Sequence, residues 1–265
     1  MFSLDGKTVA LTGGGGAIAG ALAEALLRAG ANVSLWDIKL EFSEAAKKRL
    51  EEATGRKEKI HPLEADTTNE KSVEAAVEET VKRFGSLDVL INAAGGNRGK
   101  GPFVETDVEL FESILRLNLV AGLLVPTKVV AKYWIEKGVK GNIVNMASMS
   151  SYIPLSGVWA YDAAKAAVMN LTMGTAKEFA PNGIRVNALA PGFFIGKQNR
   201  ALLIDEKTGE LTDRGKSVIA HTPFGRFGDV SELAGALLFL VNDKAAGFVT
   251  GVTIPVDGGY LVDNI

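Results

Sequence analysis

Seven short apolar runs, rich in β-branched residues, alternate with longer amphipathic stretches along this chain. The runs are TVALT (8–12), NVSLW (32–36), KIHPL (59–63), DVLINA (88–93), NIVNMA (142–147), IRVNALA (184–190) and VTIPV (252–256). Helical periodicity fills 17–29, 41–53, 70–84, 107–136, 161–180 and 230–241. Strands that alternate with helices cannot pair as hairpins. They call for right-handed crossovers and a parallel sheet buried on both faces. The pattern predicts an α/β fold: one doubly wound, seven-stranded parallel sheet with helices on both faces. No repeat or linker divides the chain, so residues 1–265 are read as a single domain.

The rhythm breaks once. Between APGFF (190–194) and the helix near 230, about 35 residues contain no core strand. A connection of this length inside a compact domain is usually a functional cover or carries helices of its own. Its place after a strand's C-terminal end suggests a substrate lid at about 193–228.

The first strand runs directly into TGGGGAIAG. Such a turn brings backbone close to a pyrophosphate, and the helix behind it offers free N–H groups and a positive dipole end. Gly14, Gly16 and Ala19 satisfy G-x-G-x-x-G/A; an alternative register uses Gly13, Ala17, Ile18 and Ala19. This is the dinucleotide-binding Rossmann signature. Asp37 closes the second strand, where a carboxylate accepts from ribose hydroxyls and repels a 2′-phosphate. NAD is therefore expected over NADP, although Lys39 lies close by. Asp66 and Thr67 after the third strand, and Asn92, Ala93, Ala94 and Gly95 after the fourth, sit where cofactors bind in such sheets. So do Pro191 and Gly192 after the sixth, with backbone amides around Phe194 and Ile195 as candidates for the nicotinamide carboxamide.

Tyr161 and Lys165 are four residues apart in a helical run, hence on one face. A free tyrosine titrates near ~10, and a neighbouring ammonium lowers that value towards useful general acid–base chemistry. Ser148 ends the fifth strand thirteen residues earlier. With TGGGGAIAG, INAAGG, the serine of MASM, Tyr161-x-x-x-Lys165, Asn118 in LRLNLVAG and the APG of 190–192, the whole chain resembles the classical short-chain dehydrogenase/reductase family. It departs from the family pattern in having alanine at 17 and 19. The resemblance implies that Tyr161 exchanges the substrate proton. Lys165 lowers the tyrosine pKa and binds the nicotinamide ribose. Ser148 orients substrate and stabilises the oxyanion, and Asn118 holds a relay water. It also implies a homotetramer.

The segment after Gly192 resembles the D-mannonate oxidoreductase (fructuronate reductase) branch of that family, which implies a sugar-acid substrate. A gluconate 5-dehydrogenase or other polyol dehydrogenase is the alternative. A 3-oxoacyl reductase, which would normally use NADP, and a non-catalytic NAD-binding sensor are further from the residues. A sugar acid needs donors for its carboxylate and hydroxyls. Gln198, Asn199 and Arg200 are the first candidates, with His221 and Asn97 behind them.

Composition narrows the rest. The chain has no cysteine, which removes disulfides, thiolate metal sites and thiol nucleophiles. The formal charge of −2 shows no field suited to nucleic acid. The N-terminus lacks the form of a signal peptide, and no membrane span is expected, so the reading is cytoplasmic. His61 and His221 lack metal-ligand spacing, and no catalytic metal is expected.

Overall fold

A computed structural model describes residues 2–196, 200–205 and 208–263, without the side chains of residues 201 and 202. Strands β1 (Thr8–Thr12), β2 (Asn32–Asp37), β3 (Ile60–Glu64), β4 (Val89–Asn92), β5 (Asn142–Met146), β6 (Arg185–Pro191) and β7 (Thr253–Val256) form one sheet. Its order is β3-β2-β1-β4-β5-β6-β7, and all six pairings are parallel. Each strand begins or ends within one or two residues of its expected bounds.

The helices are α1 (Ala17–Arg28), α2 (Leu40–Thr54), α3 (Glu70–Phe84), α4 (Val108–Leu115), α5 (Val125–Lys137), α6 (Trp159–Phe179), α7 (Arg200–Leu203), α8 (Asp213–Ala220), α9 (Ala234–Val241) and α10 (Asp243–Ala246). They cover both faces. On one, Leu22, Leu26 and Leu27 of α1 and Leu237 and Leu240 of α9 pack on Val9, Leu11 and Leu35. On the other, Val73 and Val77 of α3 and Val129, Val130 and Trp134 of α5 pack on Ala10, Leu90 and Ile143. Strands β1, β5 and β6 are buried along their whole length, as central strands of a doubly covered sheet must be.

The expected helix over 107–136 is continuous from Val108 to Lys137 but not uniform. Arg116–Leu124 is wound as a π-helix between α4 and α5. Gly122 lies against the Ala94 carbonyl so closely that a Cβ there would stand 2.6 Å from its oxygen. This 30-residue helix is long and apolar enough to cross a membrane, yet 61% of its apolar window is buried within the protein. Its hydropathy is that of a core helix.

The strand order reverses between β1 and β4. At such a reversal open α/β sheets bind their ligands, in the crevice at the C-terminal edge of the strands. The long segment after β6 does contain helices, α7 and α8. Its base is closed by a parallel bridge between Phe194 and Gly228, and Ile204 pairs with Leu211 further out.

Candidate active site

The crevice is floored by glycines that could carry no side chain. Gly13 has a left-handed φ of 63°, and a Cβ on it would stand 2.9 Å from Cα of Ala94 in the loop after β4. A Cβ on Gly14 would meet Leu35 at 2.9 Å, and one on Gly15 would meet Phe42 at 2.7 Å. Gly16 caps α1 without any side-chain bond, and the first turn of α1 carries no acidic residue. Free N–H groups and the positive helix end therefore face the loop. Gly15 adds what the motif did not reveal: its N–H donates to Asp37 Oδ2 at 2.9 Å. Asp37 and the glycine-rich loop are thus joined. Lys39, the residue that blurred cofactor choice, pairs with Glu41 at 3.5 Å. Arg49 also reaches the loop, with Nη2 3.5 Å from the Gly15 carbonyl. These residues fit a dinucleotide, because the cradle is one that any Cβ would fill.

Thr12 holds the two loops together. Its buried hydroxyl accepts from the N–H groups of Ala93 and Ala94, each at 3.0 Å. Asn92 turns inward, donating to Thr127 Oγ1 and Asn145 Oδ1 at 2.8 Å, so its side chain ties β4 to β5 and α5. Asp66 Oδ1 accepts from the Thr68 N–H and hydroxyl, and Thr67 beside it is buried. Replacing Thr12 with Val leaves the half-buried Ala94 N–H unpaired and the Ala93 N–H with only the Ile91 carbonyl, at a cost of about 1–3 kcal/mol. Thermal melting should show T12V several degrees less stable, and calorimetry should show weaker dinucleotide binding. Binding at wild-type strength would mean that the clamp does not shape the crevice.

The second cluster stands at the C-terminal ends of β4 and β5. Helix α6 begins at Trp159, two residues earlier than expected, which puts Tyr161 in its first turn. Lys165 follows on the same face, with Nζ 5.5 Å from the centre of the Tyr161 ring. Lys165 is 5% exposed and donates to the Met146 carbonyl at 2.7 Å. Ser148 accepts from Ser150 N–H at 3.1 Å, and Ser151 donates to the Lys165 carbonyl at 2.6 Å. The turn after β5 is thereby fastened to α6. Asn118 lies in the π-helical stretch, fully buried. Its amide donates to Gly96 O and Ile114 O, and its Oδ1 accepts from Gly96 N–H. Gly95 joins the two clusters: a Cβ there would stand 2.7 Å from Asn118 Oδ1 and 3.5 Å from Lys165 Nζ.

The electrostatics correct one expectation. Tyr161 is pushed up from its ordinary value, not down. Burial is the main cause and Asp162 adds to it, while the nearby Ser148 hydroxyl works in the opposite direction. Burial also lowers Lys165 to about 8. Desolvation disfavours both charged forms, and the ammonium lies over the ring, bonded to a carbonyl. Asp162 is raised to about 6, again chiefly by burial.

The family model described as enoyl-(acyl carrier protein) reductase matches residues 15–261, nearly the whole chain. The protein belongs to the short-chain dehydrogenase/reductase family. It is 36% identical over 265 residues to the 5-keto-D-gluconate 5-reductase of Escherichia coli, covering 99% of this chain and 98% of the relative. The solved structure of a provisionally named D-mannonate oxidoreductase from Haemophilus influenzae, with bound NAD, superposes at a TM-score of 0.89. That pair shares 36% identity over 98% of this chain and 96% of the other. A gluconate 5-dehydrogenase from Burkholderia cenocepacia, in complex with NADP and tartrate, gives 0.87 at 34% identity, covering 100% and 98%.

The family cluster of Asn118, Ser148, Tyr161 and Lys165 is brought together as its motifs implied. The substrate candidates are scattered. Gln198 and Asn199 lie outside the described residues. Arg200 is exposed at the start of α7. His221 is exposed at the end of α8, its Nδ1 2.8 Å from the Ser217 carbonyl and its ring 6.4 Å from that of Tyr260. Asn97 is exposed and donates to Gly99 O at 3.3 Å. None of these described side chains lines the large cleft of this short-chain dehydrogenase/reductase, which has a volume of about 550 Å³. Its walls are Gly99, Lys100, Val158, Thr212, Asp213 and Arg214. Lys100 and Arg214 were legible only as charged residues in loops.

Beyond β6, Pro191 is buried and Gly192 N–H donates to Val256 O at 2.9 Å. A Cβ on Gly192 would stand 2.6 Å from Cα of Asp257. Phe194 is buried at its bridge to Gly228, and Ile195 is half-buried. Asn187 holds the β6–β7 edge together, donating to Val249 O and accepting from Val252 N–H. Among the described residues no three His, Asp or Glu side chains gather as a metal cage.

Proposed function

We propose that this protein is an NAD-dependent oxidoreductase acting on the secondary alcohol or ketone of a sugar acid, with D-mannonate and D-fructuronate as the favoured pair. The observation that carries the chemistry is the convergence of Tyr161 with the Ser148 hydroxyl and the Lys165 ammonium, with Lys165 and Asn118 both against Gly95. A bound nicotinamide supplies or accepts the hydride; the chain's own residues manage geometry and protons. Gly13, Gly14, Gly16, Ala17 and Ile18 hold the pyrophosphate against the α1 N-terminus. Asp37 takes the adenosine ribose, Asp66 and Thr67 face the adenine, and Ala93, Ala94 and Gly95 pass beside the cofactor. Asn92 acts through backbone alone, because its side chain bonds within the fold.

Tyr161 gives its proton to the carbonyl oxygen in reduction and recovers it in oxidation. Ser148 donates to the same oxygen as charge develops there. Lys165 contributes positive charge and binds the nicotinamide ribose, and Asn118 positions the water that returns the proton. Burial of Tyr161 favours the phenol, the form that reduction consumes. The segment over 193–228 acts as the substrate lid.

NAD is preferred because Asp37 stands on the phosphate loop while the nearest post-strand cation, Lys39, is paired with Glu41. The sugar-acid reading is supported by the two similar proteins named for gluconate chemistry and the one named for D-mannonate. Initial rates with NADH and NADPH against D-fructuronate, 5-keto-D-gluconate and an acetoacetyl ester test both parts. Fructuronate reduction with NADH, at least tenfold faster than with NADPH, is the expected result. Faster turnover of another ketone would reject the fructuronate assignment, and equal use of NADPH would reject the role of Asp37.

Assembly as a homotetramer is part of the same reading. Strand β7 is a half-exposed edge, with Phe248 and Val252 exposed just before it, and Leu124, Leu171 and Met173 lie open on the long helices. Light scattering should give about four times the 28.0 kDa chain mass. A monomer at micromolar concentration would refute this.

A further inference from the structure

The large cleft holds two cations that the catalytic scheme leaves without a task. Lys100 comes from the loop after β4 and Arg214 from the first turn of α8. Neither head group has a hydrogen bond or ion pair among the described residues. Asp213 does not neutralise Arg214: its carboxylate is fully exposed and pairs with Lys216 at 3.7 Å. Arg214 is half-buried, and its charge is felt at Tyr260 across the lid base. An unpaired, half-buried guanidinium is costly unless an anion meets it.

The position of Lys100 is fixed by its backbone. Gly101 N–H donates to Gly157 O at 3.1 Å, and the Trp159 indole donates to Gly101 O at 3.0 Å. The Lys100 stem runs so close to Gly157 that a Cβ there would stand 2.9 Å from its Cγ. Gly157 leads into Val158, the N-cap of α6 and a wall of the cleft. Tyr161 lies one helical turn further on. The cleft is thus built on the same helix end as the proton donor. Its volume is within the range that encloses a small organic ligand.

We propose that Lys100 and Arg214 are the specificity-determining seat for the substrate's carboxylate, holding an anionic sugar ketone by its acid end so that its carbonyl reaches Tyr161. This rests on the sugar-acid reading above and gives it a location. Arg214 supplies a planar fork able to meet both oxygens, and Lys100 supplies a point charge from the β4 loop. Helix α8 carries one half of the seat and the β4 loop the other.

The test uses Arg214→Gln, Lys100→Gln, the double variant and Arg214→Lys in the full-length protein. Each is assayed with NADH against D-fructuronate and against D-fructose, the uncharged ketose of the same length. Each Gln variant should lose about ten- to a hundredfold in kcat/KM for fructuronate, mainly through KM. The double variant should lose more, and Arg214→Lys should recover part. Activity on fructose, KM for NADH and melting temperature should stay near wild type. Equal losses on both ketones, or no loss on fructuronate, would overturn the seat. If wild type prefers a different sugar acid, the fructuronate assignment fails while the same variants on that acid still decide the seat. Wild type that accepts only uncharged ketones would overturn both.

Discussion

Replacing Tyr161 with Phe is expected to lower kcat by about 10²–10⁴-fold, the range that a positioned acid–base group contributes. The variant removes one oxygen and leaves the ring, its contact with the Lys165 ammonium and the α6 turn in place. Dinucleotide binding should survive, because Gly13–Gly16, Asp37 and the Thr12 clamp belong to other elements. Fluorescence titration with NADH beside steady-state kinetics separates the two effects. The pH profile adds a second readout. Tyr161 is held above its ordinary value by burial, with Asp162 adding to the effect, so alcohol oxidation, which needs the phenolate, should rise steadily into the alkaline range. Any residual activity of Y161F should lose that dependence. A variant that keeps wild-type kcat would remove Tyr161 from the mechanism.

Lys165→Met is expected to change activity and stability in opposite directions. Lys165 is buried and its pKa is lowered from 10.5 to about 8. Between those values the unfolded chain binds more protons than the folded one, so the residue makes stability rise with pH. Its favourable contribution is complete above 10.5 and is lost as pH falls through 8. At pH 7 the fold therefore carries a buried cation at a cost on the order of 3 kcal/mol, taking about 1.4 kcal/mol per pKa unit. Removing it also removes the bond to the Met146 carbonyl, worth about 1.5–3 kcal/mol for a charged donor. K165M should melt at or slightly above wild type at pH 7 and lose that advantage towards pH 10. Its kcat/KM should fall by about 10²–10³-fold, because a fixed charge beside the Tyr161 ring is gone. A variant that melts well below wild type at pH 7 would show that the lysine is structural.

Much of this molecule is local chemistry and can be read from the chain. Apolar runs of strand length separated by amphipathic helices require a parallel sheet, because only crossovers connect them. Tyr161 and Lys165 share a face by helical spacing. The glycines after β1 mark a close backbone approach without saying to what. The sequence also placed Asp37 at the end of β2, although its bond to Gly15 is a contact across 22 residues.

What the tertiary structure decided are properties set by residues distant along the chain. The reversal of strand order between β1 and β4 brings Gly13 against Ala94, and nothing in either motif encodes that. The π-helical stretch that seats Asn118 depends on Gly122 packing under the β4 loop. Burial reversed the expected direction for Tyr161, since desolvation is a property of the packed interior and not of a neighbour four residues away. The cleft brings Lys100 and Arg214 together through a segment after β6 whose path follows no sequence period. Arg200 and His221 were better candidates by proximity to the motif, and the fold left both on the surface. Periodicity reports which way a side chain faces within its own element, and only packing determines which other element it meets.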